Sequence, residues 1–248
     1  MALTTIINIV LIGIVIACAW LGFKKGIIMG IIGILVIILS LYGAQLLSDT
    51  FSYEVIPVMK PFVSGVMDTR IEDTAFSVLG YEADENGDYH VTQSLDDMIA
   101  AMPEARKEIC RWAYKDLGLY DAIAEDMAQK AVDTMDQNEG VSIGTAISNV
   151  LCQSISWYGG FIIAFILIFT VLTVIVNIPN LSFRIPYVGI LNDLGGLAIG
   201  IYVGLLFCSL LVWVLQFTGI VLPQDTMQQS SIAAWFMEKD LLSSFITF

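Results

Sequence analysis

Long apolar runs, interrupted by polar breaks of very unequal length, dominate the hydrophobic pattern of the chain. A bilayer crossing needs about 20 residues at roughly 1.5 Å each, and four stretches qualify. Ala2 to Phe23 is the first. Its dozen Leu, Ile, Val and Phe residues favour insertion by about 5 kcal/mol in all, against a single polar Asn8. Ile27 to Leu47 follows after only Lys24, Lys25 and Gly26, so these two spans are expected as a tight antiparallel hairpin. The uncharged run from Gly140 to Phe183 is too long for one crossing; Trp157 to Asn177 is read as its membrane part and Val141 to Ser156 as a helical lead-in. Pro186, suited to a first helical turn, opens a last span that ends near Gln216 and completes a second hairpin.

Within two of these spans glycine recurs at every fourth position, as Gly22, Gly26, Gly30 and as Gly196, Gly200, Gly204. Residues four apart share a helix face, so each ladder presents bare backbone along one side. Lipid tails are as apolar as leucine, and no hydrophobic force draws spans together. Close backbone approach does, through dispersion and Cα–H contacts. These six glycines are the expected helix-packing positions.

Charge changes the picture outside the spans. Hydrophobic residues make up 57% of the chain and charged ones 14%, against about 25% charged in an ordinary soluble domain. Of the 24 acidic residues, 20 lie between Asp49 and Glu139 with 7 of the 11 basic ones, so the whole net charge of −13 belongs to that segment. An apolar frame thus carries one acidic, water-facing insert, and such a charge excludes nucleic acid as a partner. Ser94 with Asp97 forms a capping pattern, and Pro103 and Gly118 bracket a helix whose Ile109, Ala113 and Leu117 share a face. From Asp121 a second amphipathic stretch presents Ile123, Met127, Ala131 and Val132, with Glu125, Asp126, Asp133 and Asp136 pointing away. The tail from Ser230 is too short and too charged to span. Its Ile232, Trp235, Phe236, Leu242 and Phe245 form one broad apolar face for the membrane interface or for packing on the insert. The expected fold is an all-α membrane protein: a transmembrane hairpin over 1–47, a largely helical acidic extracytoplasmic insert over 48–156, a second hairpin over 157–217 and an interfacial amphipathic tail over 218–248.

Basic residues in short loops set the orientation. Lys24 and Lys25 join the first two spans and Arg184 the last two, which makes both turns cytoplasmic and puts the termini and the insert outside. Moving acidic charge outward across an inside-negative potential is also favourable, by roughly 2.3 kcal/mol per charge per 100 mV.

Chemistry is sparse. The single histidine, His90, sits in an acidic turn around Asn86 and Gly87, where Tyr89 and Leu95 occupy the positions at which a calcium loop needs glycine and glutamate. No phosphate-binding loop, nucleophile elbow or zinc helix is present. Cys18 and Cys208 fall in spans, while Cys110 and Cys152 could meet near the insert. No catalytic residue, metal site or cofactor is expected. Asn8, Asn192 and Asp193 are the candidate polar site, Asp193 either near the headgroups against the Lys24–Lys25 turn or on an ion path.

The run Gly22-Phe23-Lys24-Lys25-Gly26-Ile27-Ile28 between two spans, and Pro186-Tyr187-Val188-Gly189-Ile190-Leu191-Asn192-Asp193-Leu194-Gly195-Gly196 leading into Gly200 and Gly204, resembles the colicin V production (CvpA) family of bacterial inner-membrane proteins. The resemblance covers all four spans and extends to the tail, through Trp235, Phe236 and Leu241. Asn8 and Val203 stand where many members carry an acidic and a basic residue. The resemblance implies a multi-pass protein of the bacterial cytoplasmic membrane, non-enzymatic, with a structural or accessory role in envelope homeostasis or in peptide toxin production and export. Its partners would be the lipid bilayer and a second copy or other envelope proteins. The alternative is a small transporter or channel-like component with its polar path near Asn192 and Asp193.

The topology is testable by labelling. With Cys18, Cys110, Cys152 and Cys208 replaced, a cysteine introduced at Asp88 is expected to react with a membrane-impermeant thiol reagent on intact cells. One introduced at Lys25 is expected to stay protected until the membrane is opened, and the reverse pattern would invert the orientation.

Overall fold

The computed structural model describes residues 2–81, 84, 89, 97–99, 102, 103, 105–138, 140–177, 189–217, 219 and 222–239. The turn residues Glu85 to Asp88, His90, Ser94, Arg184, Pro186, and Leu241, Leu242 and Phe245 of the tail lie outside the described residues. Among the described residues the regular elements are all helical: α1 (Ala2–Val78), α2 (Ala105–Asp116), α3 (Asp121–Gln137), α4 (Ile143–Asn177), α5 (Gly189–Leu215), α6 (Gln224–Gln228) and α7 (Ser231–Lys239). Contacts divide the chain into two compact units. One comprises Met1–Asp49, Gly159–Gln216 and Val221–Phe248, the other Thr50–Tyr158 and Phe217–Ile220.

Among the described residues three helices are long and apolar enough to cross a membrane: the Leu3–Ser52 part of α1, α4 and α5. The first of these differs from the separate spans expected at the N-terminus. Lys24 and Lys25 stay helical, and the only departure from helical dihedrals in α1 is Gly26, at φ 78° and ψ 179°. A straight helix over the 50 residues of Leu3–Ser52 would reach about 75 Å, more than twice the thickness of a bilayer core. The break at Gly26 divides it into two arms.

Contacts along α5 show how the arms run in the apolar unit. Positions 22, 18 and 15 of the first arm lie in turn against Gly196, Gly200 and Gly204, whereas Ile27 and Gly30 of the second arm lie against Gly195 and Ile199. Both arms therefore leave Gly26 in the same direction along α5, and the chain folds back there. α4 is antiparallel to α5, since Phe161 meets Trp213 and Phe169 meets Phe207 edge to face. It also meets the second arm at Gly43, beside Ile168, and at Ser48, beside Gly160.

The acidic unit is built by a different rule. α2 ends at Asp116, and Gly118, at φ 85°, turns the chain while the Leu119 N–H bonds back to the Tyr114 carbonyl. α3 then returns antiparallel on α2. Ala113 on one helix and Ala124, Ala128 and Ala131 on the other are buried, which lets the two approach closely around Ile109, Cys110, Tyr114 and Met127. Ile71 and Ala75 of α1 and Ile143 and Ile147 of α4 complete the core. Of the faces read from the sequence, Ile109, Ala113, Met127 and Ala131 are buried, and Leu117 and Ile123 pack partly buried against them. Basic α2 lies on acidic α3 through Arg106–Asp136 at 3.3 Å, Lys107–Glu125 at 2.6 Å and Lys115–Asp121 at 2.7 Å. The Lys107 hydrogen bond holds the Glu125 carboxyl below its usual range. Such exposed pairs add little stability, so they serve the register of two helices already held by apolar burial.

Buried in that core, the Tyr114 hydroxyl donates to the Ile147 carbonyl at 3.1 Å. Burial holds its proton well past the usual tyrosine range, and burial pushes the Cys110 thiol up to about 12. All four cysteines are free thiols.

These two groups predict alkaline sensitivity. A folded-state pKa raised above the unfolded one stabilises the fold below the unfolded pKa and loses that contribution as pH rises toward the folded one. For Cys110 the window runs from the ordinary value of 9.0 to about 12, at roughly 1.4 kcal/mol per pH unit. Denaturant unfolding followed by fluorescence is expected to show stability falling from pH 9 upward, and Cys110→Ala to flatten that fall between pH 9 and 10, before Tyr114 begins to titrate.

Candidate functional site

The break at Gly26 and the start of α5 form a closely packed junction in the apolar unit. A Cβ added to Gly22 would stand 2.8 Å from the Gly200 Cα and against the Gly196 carbonyl oxygen. One added to Gly196 would lie 2.8 Å from the Gly26 Cα, one on Gly200 would lie 3.0 Å from the Ala19 Cα, and one on Gly204 would lie 2.9 Å from the Val15 Cα. At all four positions the obstruction includes backbone, which cannot swing aside. Gly30 faces a side chain instead, with Ile199 Cγ2 at 2.8 Å. The α5 ladder thus seats the first arm from Gly22 back to Val15, and the two ladders meet one another at Gly22, Gly26, Gly196 and Gly200.

Gly26 is needed twice over. Its positive φ is disfavoured for any residue with a Cβ, and such a Cβ would meet the Asn192 side chain. Breaking the helix also frees the first N–H groups of the second arm, which lack partners one turn back. Asn192, 5% exposed, supplies one from a neighbouring helix: its Oδ1 accepts the Ile27 N–H at 3.1 Å. A cap normally comes from the residue just before a helix. Here the break leaves no room for one, and α5 provides it.

The remaining polar candidates are placed separately. Asp193 is partly buried beside Asn192, and among the described residues it makes no ion pair with Lys24 or Lys25. Asn192 makes the polar contact with that turn, and Lys24 lies 5.1 Å over the Trp20 ring. Asn8 is 18 residues before Gly26, about 27 Å along the first arm. It bonds to Ser230 at 2.6 Å, while the Ser230 Oγ accepts the Ala233 N–H and so caps α7. Asn8 thereby ties the tail to the first arm, with Ala233 and Phe236 buried and Trp235 43% exposed. Lower on the same arm, the Cys208 thiol donates to the Leu11 carbonyl at 3.4 Å. Arg184 lies outside the described residues. Among the described residues no group of three His, Cys, Asp or Glu side chains is placed to hold a metal ion.

Two features escape a reading of the sequence. Gly195 admits the Ile27 side chain beside the ladder; the doublet Gly195-Gly196 was the signal, since a second glycine adjacent to a ladder widens its bare face. The other is a cavity of about 180 Å³ between the two arms, α4 and α5, lined by Gly30, Gly33, Val36, Ile37, Phe169 and Phe207 among others, with Lys25 and Asn177 also on its wall.

Substitutions separate packing from lipid exposure. Gly200→Ile is expected to lower stability in detergent by about 1–3 kcal/mol, because the Ala19 and Cys18 backbone must move. Gly13→Ile, where no atom lies within 4 Å of an added Cβ, is expected to change it by less than about 0.5 kcal/mol. Asn192→Ala, which orphans the Ile27 N–H, is expected to cost about 1–2 kcal/mol. Thermal unfolding of the purified variants measures all three.

Residues 127–240, from within α3 to just beyond α7, match the family model described as Colicin V production protein. No curated protein and no solved structure matches the chain. The matched stretch contains Asn192, the ladder Gly196, Gly200 and Gly204, and Ser230. Over that stretch the chain is similar to the Colicin V production protein family.

Proposed function

We propose that the chain is a four-span protein of the bacterial cytoplasmic membrane that acts as a non-enzymatic accessory factor, in envelope homeostasis or in the production and export of a peptide toxin. The family match and the apolar helices support a membrane accessory role. In this reading the arms on either side of Gly26 are the first two spans, and α4 and α5 are the others. The Lys24–Lys25 turn is cytoplasmic and the acidic segment outside, in keeping with the placement of basic residues in short loops.

One observation carries the choice of an accessory scaffold over a transporter: the backbone-on-backbone seating of the first arm against Gly196, Gly200 and Gly204. Transport requires spans that separate or lines of polar groups through the bundle. Here the spans meet where no side chain can adjust, and the Oδ1 of Asn192 is engaged by the Ile27 N–H. The glycine faces fasten the spans, and the acidic unit and α7 are left to engage a second copy or other envelope proteins.

Two measurements test this. Proteoliposomes containing the protein are expected to show no proton or cation flux above empty vesicles, and flux abolished by Asp193→Asn would establish the transporter instead. In cells lacking the protein, envelope sensitivity to detergent is expected to be restored by the wild type and by Asp193→Asn, but not by Gly200→Ile.

A further inference from the structure

The cavity of about 180 Å³ between the arms, α4 and α5 has an uneven chemistry. Val36, Ile37, Phe169, Val203 and Phe207 line it with hydrocarbon, and neither Asn8, Asn192 nor Asp193 touches it. Its polar wall residues are Lys25, which ends the first arm, and Thr173 and Asn177 in the last turns of α4. The Asn177 Nδ2 already donates to the Thr173 carbonyl, and among the described residues Lys25 has no ion-pair partner. A path for ions or water would need polar groups throughout its length. This cavity is apolar with a cation at one end.

Its extent argues for a long occupant. The wall follows α4 from Phe169 to Asn177 and the second arm from Met29 to Ile37, roughly 12 Å along each helix. Glycines open it: Gly30 and Gly33 contribute no side chain to the wall, and a Cβ added at Gly33 would meet nothing within 4 Å. A slot of this kind, lined by hydrocarbon and placed in an apolar bundle, matches a single alkyl chain. Lys25 at its polar end matches a phosphate, the arrangement by which basic pockets between spans hold anionic lipid headgroups.

We propose that this cavity receives one acyl chain of an anionic phospholipid from the surrounding bilayer, with the headgroup phosphate against Lys25. The proposal rests on the bundle being embedded in the membrane, and the two fail separately: a chain soluble without detergent overturns the embedding, whatever it binds.

The test uses the full chain, extracted in mild detergent, stripped of native lipid and titrated with phosphatidylglycerol, phosphatidylcholine or oleate, with lipid retained per chain counted by native mass spectrometry. One phosphatidylglycerol per chain is expected, with several-fold weaker retention of phosphatidylcholine and of oleate. Gly33→Leu, which grows a side chain into the slot, is expected to lose that lipid, and Gly13→Leu, off the cavity wall, to keep it. Lys25→Gln is expected to weaken phosphatidylglycerol about five-fold and to leave phosphatidylcholine unchanged. Wild-type retention by Gly33→Leu, equal retention of the two phospholipids, or preference for oleate overturns the proposal. Should Gly33→Leu fail to fold, Lys25→Gln at an exposed position still decides, since unchanged phosphatidylglycerol affinity there overturns it.

Discussion

Everything in the apolar unit depends on how closely the first arm approaches α5. In water two helices are pressed together by the hydrophobic effect, but within lipid that force is missing, and each pair of touching atoms contributes only about 0.1–0.2 kcal/mol. The contact must therefore be dense. Gly22, Gly196, Gly200 and Gly204 make it so by contributing no side chain of their own to the seam, so that each comes against backbone of the other helix over successive turns. The fold-back at Gly26, the capping of Ile27 by Asn192 and the cavity beside Gly33 all follow from the position α5 takes on that seam.

The acidic unit solves the same problem with other means. Its helices carry small residues too, but alanine rather than glycine, and they bury Ile109, Met127, Ile143 and Ile147 away from water. Alanine favours helix where glycine costs about 1 kcal/mol, and a unit held by apolar burial needs no closer approach than a methyl group allows. Its ion pairs are exposed and serve register. The chain thus uses bare backbone in its apolar unit and methyl groups in its acidic one.

Much of this was legible in the sequence because the signals are periodic. Glycine at every fourth position identifies a face without knowledge of the partner, and Ile109, Ala113, Met127 and Ala131 announce core stripes by spacing alone. The division into long apolar helices was equally plain from run length. What could not be read were pairings between distant positions. Nothing local marks Asn192 as the cap for Ile27, 165 residues earlier, or Ser230 as the partner of Asn8; each is a polar residue whose acceptor or donor is satisfied only after folding. The residue at which the first arm turns into the second was hidden for a related reason. Lys24 and Lys25 look like a loop by charge, yet a lysine pair is compatible with helix, and the single residue that must leave the helix is the glycine beside them.

That single residue fixes the helical phase of one arm against the other. Most helical hairpins have a loop of several residues whose slack absorbs insertions and deletions. Here there is none. Each residue of an α-helix advances the azimuth by about 100°, so adding or removing one position near Gly26 would rotate the glycine face of the first arm away from α5 while Ile27 and Gly30 kept their places. Length at this point of the chain is consequently as tightly constrained as identity is in a packed core, although the turn itself carries two charged and exposed side chains.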